Sequence, residues 1–117
     1  MAKFLLLLHT SPDRFSTLSP EDIQKIIASY MSWREDLVKR NKMLGGEKLT
    51  DEGGRQLKGE GGKVSVTDGP YSELQEVLGG FFMIEAKDYD EAVEIASTCP
   101  HALTGQRMEV RQVDSVH

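Results

Sequence analysis

At 117 residues the chain has room for one domain built on one hydrophobic core. Its 14 Lys+Arg against 19 Asp+Glu give a net charge of -5, and no basic run or stripe stands out, which argues against nucleic acid as a partner. The lone cysteine, Cys99, has no partner for an internal disulfide and fits a reducing, cytoplasmic setting.

The first apolar run, Phe4-Leu5-Leu6-Leu7-Leu8, is too short for a signal peptide or for the ~20 residues of a membrane span. It reads as a buried strand over Lys3 to His9, and no membrane partner is expected. After a loop around Pro12 and Asp13, Ser19-Pro20-Glu21-Asp22 opens a helix: a capping hydroxyl, a proline suited to the first turn, and two acids at the positive end of the dipole. Ile23, Ile26, Ile27, Tyr30, Trp33 or Arg34, and Leu37 follow at near-helical spacing. The helix is predicted to run to about Lys42 and to be ended by Gly45-Gly46.

A short strand is expected within Met43 to Thr50. In the glycine-rich stretch that follows, Arg55 to Lys58 and Lys63 to Thr67 are placed to pair as a hairpin across Gly59 to Gly62. Asp68-Gly69-Pro70 forces a turn, and a polar loop leads to a strand over Phe81 to Ala86. Asp88 and Glu91 resemble a capping box for a second helix over Tyr89 to Cys99, stopped by Pro100. A last strand covers Arg107 to Val113. The order β-α-β, hairpin, β-α-β is an α+β, ferredoxin-like split βαβ plan with a β-hairpin insertion and both helices on one sheet face.

Two strands lack the alternation of a sheet covered on one side. Phe4, Leu6 and Leu8 oppose Leu5 and Leu7, while Phe82 and Ile84 oppose Phe81 and Met83. The helices can cover only one set. The other is expected to be buried by a second copy in a symmetric homodimer, or alternatively by the hairpin folding back over it.

From Lys63 onward the residues follow a known order. It comprises Val66-Thr67-Asp68-Gly69-Pro70-Tyr71-Ser72-Glu73, Glu76-Val77-Leu78-Gly79-Gly80-Phe81-Phe82, Asp90-Glu91-Ala92-Val93-Glu94, Cys99-Pro100 and Glu109-Val110-Arg111. This resembles the YCII-related family, in the branch named for an Asp-Gly-Pro-Phe motif. Three positions depart from that pattern: Tyr71 replaces the Phe, Gln75 stands where Lys is usual, and Gln112 where Pro is usual. The resemblance implies a dimeric α/β-barrel fold. It also implies kinship with enzymes that rearrange small ring compounds.

No phosphate-loop spacing and no metal-ligand quartet is present, and no cofactor is expected. Cys99 ahead of Pro100 reads as a packing residue, and His101 and His117 as solvated surface residues. Asp68 is the leading candidate for chemistry because Gly69-Pro70 would hold its carboxylate. The alternative is an Asx-type turn in which it only ties its own backbone. Antiparallel pairing puts the end of the first strand beside the start of the Phe81 strand. One edge would then collect His9, Ser11, Asp68, Glu73 and Arg107. The leading expectation is a small-molecule-binding protein that could act as a lyase- or isomerase-like acid–base enzyme. Asp68 would be the base, His9 its partner, and Arg107 or the positive helix end at Ser19 the anchor for an anionic group, with Ser11, Tyr71 and Glu73 in contact with the ligand. The alternative is a non-catalytic accessory or regulatory dimeric module that docks a protein partner.

Overall fold

Nine residues of alternating exposure open the chain as strand β1 (Ala2–Thr10), with Phe4, Leu6 and Leu8 turned into the core. The computed structural model describes residues 1–11, 13–69 and 76–115. Helix α1 (Pro20–Lys39) starts as its sequence dictates: the Ser19 hydroxyl accepts from the Asp22 amide at 3.1 Å and Pro20 occupies the first turn. Its end differs from expectation. The helix closes at Arg40, and Asn41 takes a left-handed conformation at φ 58°. The Lys42 amide reaches back to the Leu37 carbonyl and the Asn41 amide to that of Val38, the paired bonds of a Schellman cap. Asparagine supplies the turn assigned above to glycine, and Gly45-Gly46 is released into strand β2 (Met43–Lys48).

Strands β3 (Arg55–Glu60) and β4 (Lys63–Asp68) form a two-stranded ladder of their own. Gly61 and Gly62 make its turn, both at positive φ as a tight two-residue hairpin requires. Strand β5 (Val77–Ala86) precedes helix α2 (Tyr89–Ser97). The Asp88 carboxylate accepts from the Glu91 amide at 2.9 Å, and the Glu91 carboxylate accepts from the Lys87 amide at 3.0 Å. This is the expected capping box, with its return bond one residue upstream. Pro100 does not merely stop α2; it begins the four-residue helix α3 (Pro100–Leu103). Strand β6 (Met108–Gln112) completes the chain's regular structure.

The main sheet runs β2-β5-β1-β6, antiparallel throughout, which is the ferredoxin-like order with the hairpin inserted between its second and third strands. Leu6 faces Phe82 and Phe4 faces Ile84 across the β1–β5 pair. That face packs on Leu37 of α1 and on Ala92, Ile95 and Ala96 of α2. Phe4 and Ile84 are fully buried, and full burial of such side chains contributes ~1.5–3 kcal/mol each. Leu5 and Leu7, opposite Met83 and Phe81, make the other face and are half-buried.

The hairpin does not fold over that second face. Its strands pack on each other and on no other element to a comparable extent, and Leu57, Val64 and Val66 are exposed. The radius of gyration is 16.2 Å, against about 13–14 Å for a compact chain of this length, as a projecting arm requires.

Candidate active site between α1 and the sheet

Gly46 and Gly80 lie on the helix-facing side of the sheet, paired with Phe82 and Leu8. A Cβ at Gly46 would come within 2.6 Å of the Phe82 ring and of the Phe81 carbonyl oxygen; one at Gly80 would come within 2.9 Å of the Glu47 carbonyl oxygen. The close strand approach demands glycine at both positions, and the result is a sheet surface bare of side chains at these two points beneath α1. A cavity of about 600 Å³ opens there. Leu8, Gly46, Gly80 and Phe82 line it on the sheet side, and Ile23, Ile26, Ile27, Tyr30, Met31 and Arg34 on the helix side. Thr10, Ser11, Phe15, His101 and Gln106 line one end, and Glu47, Lys48, Thr50 and Asp51 the other. Apolar walls with a few convergent polar groups are what small-ligand sites have in common.

The polar groups are already ordered. Thr10 donates to the Gln106 side chain at 2.6 Å. The Tyr30 hydroxyl lies 3.1 Å from His101 Nδ1, and His101 Nε2 lies 2.9 Å from the His9 carbonyl oxygen and 3.0 Å from that of Arg107. Two carbonyl oxygens can only accept, so Nε2 carries the hydrogen. In the neutral ring Nδ1 is then the acceptor and the Tyr30 hydroxyl donates to it. His101, read from sequence as a solvated surface residue, is instead 3% exposed. Its register against β1 and β6 buries it, which no local pattern around Pro100 signals. Burial holds its ring below the usual histidine range, opposed by the two carbonyl bonds. Burial likewise pushes the Tyr30 phenol up. Cys99, two residues before His101, is fully buried and its thiol is pushed up to about 11, as expected of a packing residue.

The residues expected at the β1–β5 edge are partly brought together. His9 pairs with Leu78 and Thr10 with Val77, so the end of β1 does meet the start of β5, with a bulge between Leu8 and His9. Ser11 lines the cavity. The His9 side chain, however, meets Glu109 rather than Asp68: Nε2 lies 3.1 Å from Oε1. That bond, followed by one from Arg111, holds the Glu109 carboxyl below its usual range. Arg107 pairs with Glu76 at 2.9 Å. Asp68 sits at the root of the hairpin, its side chain 88% exposed and 3.3 Å from Arg55. Asp68 pairs with Arg55 across the base of the hairpin, and the place beside the His9 ring is taken by Glu109 of β6. Tyr71 and Glu73 lie outside the described residues.

A family model for the YCII-related domain matches residues 2–114. The chain belongs to that family. Among solved structures, this YCII-related domain is similar to the 5-chloro-2-hydroxyhydroquinone dehydrochlorinase of Burkholderia phenoliruptrix AC1100 in complex with 2,5-dihydroxybenzoquinone. The two share 18% identity over 96% of this chain and 93% of that one, with a TM-score of 0.51. At that identity the likeness speaks to the fold alone. No curated protein matches the chain. Among the described residues no group of His, Cys, Asp or Glu is arranged to hold a metal, and no helix is long and apolar enough to cross a membrane.

The sequence reading missed Tyr30 and His101 as members of a site. The signal available was the pair of glycine doublets, Gly45-Gly46 and Gly79-Gly80, in strands otherwise rich in large apolar residues. Glycine inside a strand marks a place where something approaches the backbone closely.

Proposed function

We propose that this YCII-related protein binds a small, flat, hydroxylated ring compound between α1 and the sheet, and acts on it by acid–base chemistry of the lyase or isomerase kind. The observation that carries this reading is the cavity of about 600 Å³ with apolar walls and ordered polar groups at one end. Its size suits a single six-membered ring with substituents. The solved structure with a comparable fold holds such a ring compound, 2,5-dihydroxybenzoquinone. Arg34, on the cavity wall, supplies a positive charge for an ionised ring oxygen. On the opposite sheet face, His9 with Glu109, and Arg107 with Glu76, form a second polar cluster. Asp68, in this reading, closes the hairpin through Arg55 rather than serving as the base.

The working form is a cytoplasmic homodimer. Leu5, Leu7, Phe81 and Met83 on the open sheet face, and the exposed apolar side of the hairpin, are what a second copy would cover. Light scattering behind size exclusion should give about twice 13.1 kDa, and Leu7→Asp should lower it to the monomer mass or abolish solubility. A wild-type protein running at the monomer mass at micromolar concentration removes this form.

The ligand site is tested by calorimetric titration of wild type and Ile26→Trp with 2,5-dihydroxybenzoquinone and with unsubstituted phenol. Saturable binding by wild type that is lost when the indole fills the cavity supports the reading. Binding unchanged by Ile26→Trp moves the site elsewhere, and no binding by wild type removes this class of ligand.

A further inference from the structure

The Tyr30–His101 pair has a polarity that the rest of the cavity lacks. His101 Nε2–H is spent on the His9 and Arg107 carbonyl oxygens, so the only basic position left on the ring is Nδ1, and it points at the Tyr30 hydroxyl. Tyr30 donates its single hydrogen to Nδ1 and keeps its oxygen lone pairs, while both side chains line the cavity. A ring hydroxyl lying in the cavity therefore meets an acceptor, not a donor, at this end.

We propose that Tyr30 and His101 form a two-step proton acceptor for a ligand's ring hydroxyl, with Tyr30 the catalytic residue that touches the ligand and His101 the base behind it. This rests on the cavity being the ligand site. The ring hydroxyl passes its proton to Tyr30 Oη as the Tyr30 proton moves to His101 Nδ1. The O–H bond of the ligand breaks, a new Tyr30 O–H bond and an Nδ1–H bond form, and the electron pair stays on the ligand oxygen. The products are a bound phenolate or enolate, a neutral tyrosine and an imidazolium whose Nε2–H remains bound to two carbonyl oxygens. Reversal returns the proton, so the step suits isomerisation or elimination from a hydroxylated ring. Burial favours the neutral His101 ring before the ligand arrives, and the two carbonyl bonds at Nε2 favour the imidazolium that the relay forms.

Charges of both signs surround the pair. Arg14 favours negative charge at Tyr30 and disfavours positive charge at His101, and it donates to the Thr104 carbonyl beside them; Arg34, on the cavity wall, favours an anionic ligand oxygen. His9 disfavours a second charge on His101, and the Cys99 thiol opposes ionisation of Tyr30, which the relay never requires. Glu47 and Asp51 at the cavity's other side are partly offset by Lys48, whose ammonium lies 3.1 Å from the Asp51 carboxylate.

The test uses 4-nitrocatechol, whose anion absorbs at longer wavelength than its neutral form, bound to the full chain and titrated with pH. Wild type should raise the ionised fraction of bound probe about tenfold over free probe at a pH below the free transition. Tyr30→Phe should keep binding and lose that shift, and His101→Gln, whose amide can still donate to the two carbonyls, should lose it too. If His101→Gln fails to fold, Tyr30→Phe decides alone. A shift that survives Tyr30→Phe, or a wild-type protein that binds the probe without shifting it, overturns the relay while leaving the cavity as a binding site. Absence of binding overturns both.

Discussion

The helix-facing side of the sheet is one surface with two unlike ends. At one end Phe4, Ile84 and Ala86 meet Leu37, Ala92 and Ile95, all at or near zero exposure. At the other, Gly46 and Gly80 face the first half of α1, where Ile23 and Ile26 are only half-buried and Ile27 is 44% exposed. The same helix carries apolar residues along both halves, so hydrophobic pattern does not separate them. What separates them is the residue opposite: a large side chain closes the gap, and a glycine leaves it open. A domain can thus hold its fold with one end of a layer and keep a cavity at the other.

The most direct way to break that contrast is truncation at both ends. Leu37→Ala, in the closed end, should cost about 2–5 kcal/mol in urea unfolding. Ile27→Ala, facing the cavity, should cost less than ~1 kcal/mol. Comparable losses would mean that the open end is packed as tightly as the closed one. Next in size comes Tyr30→Phe, which leaves buried Nδ1 of His101 without its donor and should cost about 1–2 kcal/mol in the same measurement.

A smaller effect sharpens the closed end. Glu91 bonds Lys42 at 3.1 Å and the Lys87 amide, and these bonds hold its carboxyl below the usual range. A carboxyl whose folded value is depressed contributes stability above its unfolded value and loses it as pH falls through the folded value. Wild type should therefore melt higher than Glu91→Gln at neutral pH, with the difference shrinking as acid protonates the group. A difference independent of pH would deny the carboxylate that role. Smallest of all, Asp68→Asn removes only an exposed pair with Arg55 and should change stability by no more than ~0.5 kcal/mol.

Local chemistry was legible in the sequence wherever a few adjacent residues decide the outcome. Ser19-Pro20 starts α1, Gly61-Gly62 turns the hairpin, and Asp88 with Glu91 caps α2. The split βαβ order followed from those pieces. The end of α1 was misplaced because asparagine and glycine both serve the left-handed position, and Asn41 came first. The site was legible only in part. Ser11 does line the cavity, but His9 and Asp68 were paired on the assumption that the hairpin returns its last residue to the sheet edge. Asp68 instead faces Arg55 across the base of the hairpin, and Glu109, one strand over, takes the place beside His9. His101 was hidden because its burial depends on carbonyls from β1 and from the residue before β6, contacts that span 92 and 6 positions.

The isoleucines offer the most direct test that the open end is the ligand site. The chain has five: Ile23, Ile26 and Ile27 line the cavity, whereas Ile84 and Ile95 sit in the closed core. With their δ-methyl groups labelled, titration with 2,5-dihydroxybenzoquinone can be followed in methyl NMR spectra. Saturating shifts of the three cavity methyls, with those of Ile84 and Ile95 nearly still, are the predicted result. Ligand-dependent shifts confined to other residues, with all three cavity methyls unmoved, would contradict it.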